Sequence, residues 1–232
     1  RNYAPFSIFH ELDNNYIDIN VMDTKFQGEL EWKPILGVTI NALGSYRVNR
    51  SEREHIILDE SNQAEAYRAG VNNPNIMYSN PYLYTDPDKP NSWPISVMES
   101  GGINILNRNE VSQLDFRLTA NYNHVWSVKG EETHIFSGLV GMEANRADYD
   151  ASEFQNYGVN YKKARLVTIT PDFFKQAKEE GTELTTYSRS YNRRLAYFAN
   201  ANYSYKGRYS ANLTARYDGS NQLGKSRQSR WL

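Results

Sequence analysis

Between positions 114 and 126 the side chains change character at every step. Leu114, Phe116, Leu118, Ala120, Tyr122 and Trp126 are apolar or aromatic, interrupted by His124, while Gln113, Asp115, Arg117, Thr119, Asn121 and Asn123 are polar. Successive side chains of an extended strand point to opposite faces, so this alternation specifies a strand with one greasy and one wet face. Tyr209, Ala211, Leu213, Ala215 and Tyr217 repeat it against Ser210, Asn212, Thr214 and Arg216. The same reading predicts strands over residues 16–32, 36–48, 133–147 and 195–205. In the first of these the apolar set shifts from Ile17, Ile19 and Val21 to Met22, Phe26, Leu30 and Trp32, which predicts a bulge near Val21.

The connections carry a second constraint. Residues 33–35, 127–132 and 206–208 read as tight turns, whereas 49–111, 149–194 and 219–229 are long. In a meander, short and long connections fall at opposite ends. Outer-membrane barrels have short periplasmic turns, long extracellular loops, strands of about ten residues and aromatic girdles at both interfaces. Trp32, Tyr46, Trp126, Tyr203, Tyr205 and Tyr217 lie near predicted strand ends, where a girdle sits. A soluble β-sandwich with one buried and one solvated face alternates in the same way. Its strands are commonly only about five or six residues long, so strand length favours the barrel.

Composition agrees with dispersed apolar content. Only 39% of the 232 residues are hydrophobic, yet 18 Tyr, 9 Phe and 4 Trp argue against disorder. No apolar run approaches the roughly 18 to 20 residues a membrane-crossing helix needs, which excludes a helical membrane protein and leaves a barrel open. Cysteine is absent, removing disulfides, thiolate catalysis and Cys-based zinc sites. With 26 basic and 27 acidic residues, the overall balance gives no electrostatic footprint for nucleic acid or anionic lipid. Arg1-Asn2-Tyr3-Ala4-Pro5 shows neither an initiator Met nor an apolar signal core, and Arg230-Trp231-Leu232 opens a new apolar segment. Both ends therefore read as cuts within a longer chain.

The loops have internal order. Thr170-Pro171-Asp172 predicts a capped helix start, with Phe173, Phe174 and Ala177 as its apolar face and Gly181 as its stop. Residues 60–69, closed by Gly70, read as a second helix. Tyr78, Tyr82, Tyr84 and Trp93 are loop aromatics suited to stacking on sugar rings or packing around peptide side chains, and are the candidate substrate-binding residues. Their other role is to pack the loop onto itself or onto a partner.

Catalytic constellations are missing. His10, His55, His124 and His134 lack metal-ligand spacing; His124 and His134 flank one turn and read as interfacial side chains. Asp86-Pro87-Asp88 pairs two carboxylates, but Pro87 and Pro90 favour a solvated turn over a calcium or acid/base site. The expectation is a non-enzyme without catalytic residues, metal or cofactor.

Several segments resemble one family. Ser61-Asn62-Gln63-Ala64-Glu65-Ala66-Tyr67-Arg68-Ala69, then Leu83-Tyr84-Thr85-Asp86-Pro87-Asp88, then Gly101-Gly102, follow the order found in SusC/RagA-type TonB-dependent transporters of Bacteroidetes. Leu195-Ala196-Tyr197-Phe198, Asn202-Tyr203-Ser204-Tyr205-Lys206-Gly207-Arg208-Tyr209 and Arg216-Tyr217-Asp218-Gly219-Ser220 resemble that family's barrel hairpin and strand end. After Ser220, Asn221-Gln222-Leu223-Gly224 departs from the family's Arg-Phe-Gly continuation.

The resemblance implies an all-β fold, an antiparallel, roughly 22-stranded transmembrane β-barrel with long extracellular loops. Residues 1–232 would form part of it, with plug, TonB box and closing strands lying elsewhere. The implied activity is TonB-energised import of oligosaccharides or oligopeptides across the outer membrane. The implied partners are a SusD/RagB-like surface lipoprotein lid, the TonB complex, outer-membrane lipids and a glycan or peptide substrate, often in a doubled assembly. A passive porin, a surface adhesin barrel and a soluble carbohydrate-binding β domain are the alternatives.

Overall fold

The alternating segments become long strands of one sheet, joined in chain order. The computed structural model describes residues 7–89, 91–128, 131–163 and 165–223. Pro90, the centre of the 127–132 turn, the end of the 219–229 connection and both termini lie outside the described residues. The strands are β1 (Asn15–Trp32), β2 (Val38–Ile57), β3 (Gly102–Val128), β4 (Glu131–Asn160), β5 (Leu166–Val167), β6 (Thr185–Tyr205) and β7 (Tyr209–Ser220). Their order is β1-β2-β3-β4-β6-β7, with the two-residue β5 paired to the end of β4. The β6–β7 register is antiparallel and unbroken, from Tyr205 opposite Tyr209 to Arg194 opposite Ser220. No described helix is long and apolar enough to cross a membrane.

Four strands outrun their expected lengths. β2 continues past residue 48 to Ile57, β3 begins at Gly102 instead of 114, β4 runs on from 147 to Asn160, and β6 begins at Thr185 instead of 195. The loops shrink to residues 58–101 and 161–184 accordingly. The extensions carry charge where alternation is expected to carry apolar residues, and cross-strand ion pairs form there. Arg50 bonds Glu110 at 2.8 Å and Arg108 bonds Glu52 at 2.6 Å. Tyr46 consequently lies inside β2 instead of at a strand end, whereas Trp32 closes β1 as expected.

The helices follow their signals unevenly. Pro171–Glu180 is helical as expected, with the Thr170 side chain accepting from the Phe173 N–H and Gly181 in the left-handed region. Phe173 and Ala177 are buried, but Phe174 is exposed. The helix expected over 60–69 contracts to Asn62–Ala66, capped by Ser61, and gives way to turns before Gly70. Short helices at Ile8–Asn14 and Pro74–Met77 have no counterpart in the expectations. In chain order the helices are α1 (Ile8–Asn14), α2 (Asn62–Ala66), α3 (Pro74–Met77) and α4 (Pro171–Glu180).

The chain divides into two compact units. A loop unit comprises the described residues up to Val21, Ser51–Asn109 and Ala151–Ser188; a sheet unit comprises Met22–Arg50, Glu110–Asp150 and the described residues from Arg189 onward. Among the described residues, every buried hydrophobic side chain belongs to the loop unit except Ala147 and Ala196. One cluster joins Ile57, Ala64, Met98 and Ile103; another joins Tyr84, Val97 and Phe173. Gly101 and Gly102 make the first cluster possible. A Cβ on Gly102 would stand 1.9 Å from the Ile57 carbonyl oxygen, and Gly101 has φ +85° against the Gly158 backbone. Both positions exclude side chains.

Within the sheet unit the two faces divide as the alternation requires. Leu30, Trp32, Tyr209 and Leu213 on the apolar side are exposed at 66%, 60%, 72% and 73%. Leu213 and Tyr209 alternate with Asn212 and Ser210 along β7. Among the described residues of this unit the sheet is a single layer, with no second layer over the apolar face.

Candidate functional site

The loop unit builds an aromatic platform from two connections. In the 58–101 loop, Asn80 fixes the chain: its Nδ2 donates to the Ala66 and Ala69 carbonyls at 2.8 and 3.0 Å, and its Oδ1 accepts from the Tyr82 N–H at 3.0 Å. Arg68 donates to the Gly101 carbonyl at 3.1 Å and the Asp59 carbonyl at 2.6 Å. A loop with its backbone groups paired in this way holds its side chains in defined directions.

Helix α4 docks on that loop from the second connection. Thr170 donates from Oγ1 to the Val97 carbonyl at 3.1 Å, and Phe173 enters the cluster with Tyr84 and Val97. Lys175 bridges Asp86 at 2.5 Å and Asp88 at 2.6 Å, so the expected solvated turn is a clamp on α4. Lys175, hydrogen-bonded to Asp86, holds that carboxyl below its ordinary 3.8, and the two carboxylates raise the Lys175 ammonium above its ordinary 10.5. Both groups stay charged across neutral pH. Both carboxylates are ion-paired to Lys175.

The four candidate residues take different places. Tyr84 is buried at 5% exposure; its hydroxyl donates to Glu179 at 2.9 Å, and burial pushes its pKa up to about 12. It packs the loop onto itself. Tyr78 and Trp93 are exposed, with ring centroids 5.7 Å apart. Tyr82 is also exposed and leans on Tyr67 at 5.2 Å. Behind that pair the rings continue from Tyr67 to Tyr157 at 5.8 Å and from Tyr157 to Phe173 at 4.8 Å. Burial raises the Tyr67 hydroxyl well above its ordinary value, with Tyr157 adding to the effect. The exposed rings thus offer planar apolar surface beside the half-buried Tyr67 and Tyr157 and the buried Phe173. Tyr157 was not among the candidates, because residues 151–160 mix Glu153, Gln155 and Tyr157 on one parity and show no strand pattern.

The sheet unit has a different polar surface. Glu143 accepts from Arg117 at 3.2 Å and Arg216 at 3.1 Å, and the Phe198 ring lies 5.5 and 5.7 Å from those two guanidinium carbons. Gly141 leaves the room: a Cβ there would stand 2.4 Å from Phe198. Asn200 bonds Thr214 at 2.7 Å and Asn212 bonds Asn202 at 2.6 Å, making an amide ladder across β6 and β7. Asp115 accepts from Ser45 and Asn145. This face is wet, charged and internally paired.

On the apolar face, near the tight turns, rings gather as a girdle requires. His124 lies 4.4 Å from Trp126, Trp126 lies 6.5 Å from His134, and His134 lies 5.1 Å from Tyr205. His134 Nδ1 and the Tyr203 hydroxyl share a 2.6 Å hydrogen bond. Trp126 therefore stands between the two histidines. No group of three or more His, Cys, Asp or Glu suited to a metal occurs among the described residues.

No family model matches the chain, and no curated protein matches it. Solved structures do. The RagAB peptide transporter structure aligns with a TM-score of 0.65 at 14% identity, over 95% of this chain and 20% of that one. The RagAB peptide importer in its closed-closed state gives a TM-score of 0.63 at 17% identity, covering 95% and 19%. Its open-open state gives 0.60 at 16%, covering 94% and 19%. The chain has the fold of a stretch of these transporters, about a fifth of their length.

Proposed function

We propose that this chain is a barrel segment of an outer-membrane importer, and that it works by binding and passage without catalysis. One observation carries the reading. The sheet unit keeps almost no buried hydrophobic side chains, yet one face is a continuous apolar surface and the other a hydrogen-bonded polar one. In water such a surface aggregates or acquires a second layer; in a bilayer, lipid covers it. The fold shared with RagAB supports the same reading.

In this reading the apolar face of the sheet unit meets outer-membrane lipid, and the wet face lines the interior of a closed barrel whose other strands, plug and TonB box lie elsewhere in the protein. TonB supplies the energy. Tyr78, Tyr82 and Trp93 of the long extracellular loops contact oligopeptide or oligosaccharide, and a SusD/RagB-like lipoprotein closes over them. Tyr84 positions the loop through Glu179.

The test is made on the whole protein in its native membranes. It is expected to resist alkaline extraction, to require detergent, and to migrate faster unheated than heated in denaturing gels. Extraction without detergent would falsify the membrane assignment. Trp93→Ala is expected to weaken cargo uptake about tenfold, in line with a stacking contact of about 1 kcal/mol or more. Unchanged uptake of both peptides and glycans by that variant removes the Tyr78–Trp93 pair from the site.

A further inference from the structure

The apolar band of the sheet unit ends along a line that can be followed strand by strand. On β3 it ends at Leu114, beyond which lie Ser112 and Glu110; on β4 it ends at Ala144, followed by Arg146 and Asp148; on β6 it ends at Leu195, beyond which lies Arg193. At this line a groove of about 550 Å³ opens on the apolar face, its lining including Leu114, Phe116, Ala144 and Leu195 together with Arg146 and Arg193.

The charges at that edge do not cancel. Arg146 bonds Asp148 at 2.8 Å and Arg193 bonds the same carboxylate at 2.5 Å, so two guanidiniums share one acid. Arg193 also donates to the Ala147 and Asn192 carbonyls at 3.0 and 2.9 Å, which sets its direction. Asn221 is occupied, accepting from the Arg193 N–H at 2.8 Å and donating to the Tyr191 carbonyl at 3.0 Å. Arg146 is 61% exposed, and its terminal nitrogens have no partner among the described residues. A net positive charge with unused N–H donors therefore lines the same groove as the apolar side chains.

We infer that this groove binds a phosphate-bearing lipid, its phosphate on Arg146 and Arg193 and its acyl chain along Leu114, Phe116 and Leu195. Guanidinium forks match phosphate oxygens, and charge-assisted hydrogen bonds of this kind are the stronger ones. The apolar wall selects an amphiphile over a free ion. The inference rests on the membrane reading above, because the acyl chain follows the face assigned there to lipid.

The experiment uses the full-length protein purified in a neutral detergent and titrated, by native mass spectrometry, with phosphatidic acid, with phosphatidylcholine and with inorganic phosphate. Phosphatidic acid is expected to bind about tenfold more tightly than phosphatidylcholine, with inorganic phosphate not retained. Arg146→Gln with Arg193→Gln is expected to abolish the preference. Ala144→Phe, which fills the groove and leaves both guanidiniums, is expected to lose the lipid too. Heat-modifiable mobility shows which variants remain folded, and the Ala144→Phe arm decides if the arginine pair does not. Equal retention of both lipids, or inorganic phosphate binding as tightly as phosphatidic acid, overturns the inference while the protein still requires detergent. A protein soluble without detergent overturns this inference and the membrane reading together.

Discussion

Ile57 and Met98 in the loop unit are 0% and 1% exposed, while Leu30 and Leu213 in the sheet unit are 66% and 73% exposed. The residue types match but the environments are opposite. The loop unit encloses its apolar side chains by folding loop segments and α4 around them, as a water-soluble domain does. The sheet unit arranges its own along one side of a single layer, which has no stabilising value until something apolar covers it. One chain thus combines a region that encloses its own core with a region whose apolar side chains stay on one exposed face.

That contrast can be broken first at Phe173. Phe173→Ala is expected to destabilise the loop unit by about 3–5 kcal/mol, since the ring bridges α4 to Tyr84 and Val97. Region-resolved hydrogen exchange would show protection lost over residues 83–98 and 171–180 and kept over β6 and β7. Loss spread evenly over both units would mean they share one core after all.

Next in size is Leu213→Arg on the apolar face, set against Asn212→Arg beside it. In lipid vesicles the first is expected to cost about 2–4 kcal/mol if Leu213 lies near mid-membrane, and the second far less. Folding yields measured by heat-modifiable mobility compare the two. Equal yields would contradict the division of faces.

Thr170→Ala removes the N-cap of α4 and its bond to Val97, a loss of about 1 kcal/mol. Proteolysis between residues 165 and 175 should speed up accordingly, and Thr170→Ser should restore resistance. An alanine variant cut no faster than the parent places the docking energy in Phe173 alone.

The smallest effect is a pH dependence read at the Asp86–Lys175 clamp of the loop unit. Asp86 is held below 3.8 in the fold, so its contribution is present above that value and lost as pH falls through the lower folded one. Lys175 is held above 10.5, so its contribution is present below that value and lost as pH rises beyond it. Exchange at residues 84–89 should therefore stay flat between these limits after correction for intrinsic rates, and rise in acid. Asp86→Asn should remove the acid rise. A midpoint near neutrality would point to a different group.

Much of the sheet unit was legible because alternation is a local property: each of β1, β3, β6 and β7 carries its face assignment in its own residues. The turn over residues 206–208 and the capped α4 were legible for the same reason. The strand extensions over residues 49–57, 102–113, 148–160 and 185–194 were not. Their strand character comes from pairing with strands far apart in the chain, along which Arg50 meets Glu110 and Arg108 meets Glu52. The candidate aromatics were found by type, but type does not separate a buried Tyr84 from an exposed Tyr78.

The sequence by itself determined that this chain builds amphipathic strands joined by alternately short and long connections, because period and turn chemistry are written within a few residues. Only the tertiary structure decided that the long connections enclose a core, that Asp86 and Asp88 grip Lys175, and that Tyr84 turns inward to Glu179 while Trp93 stays out. These depend on contacts between residues that are distant along the chain, and a local pattern carries no record of which distant partner closes over it.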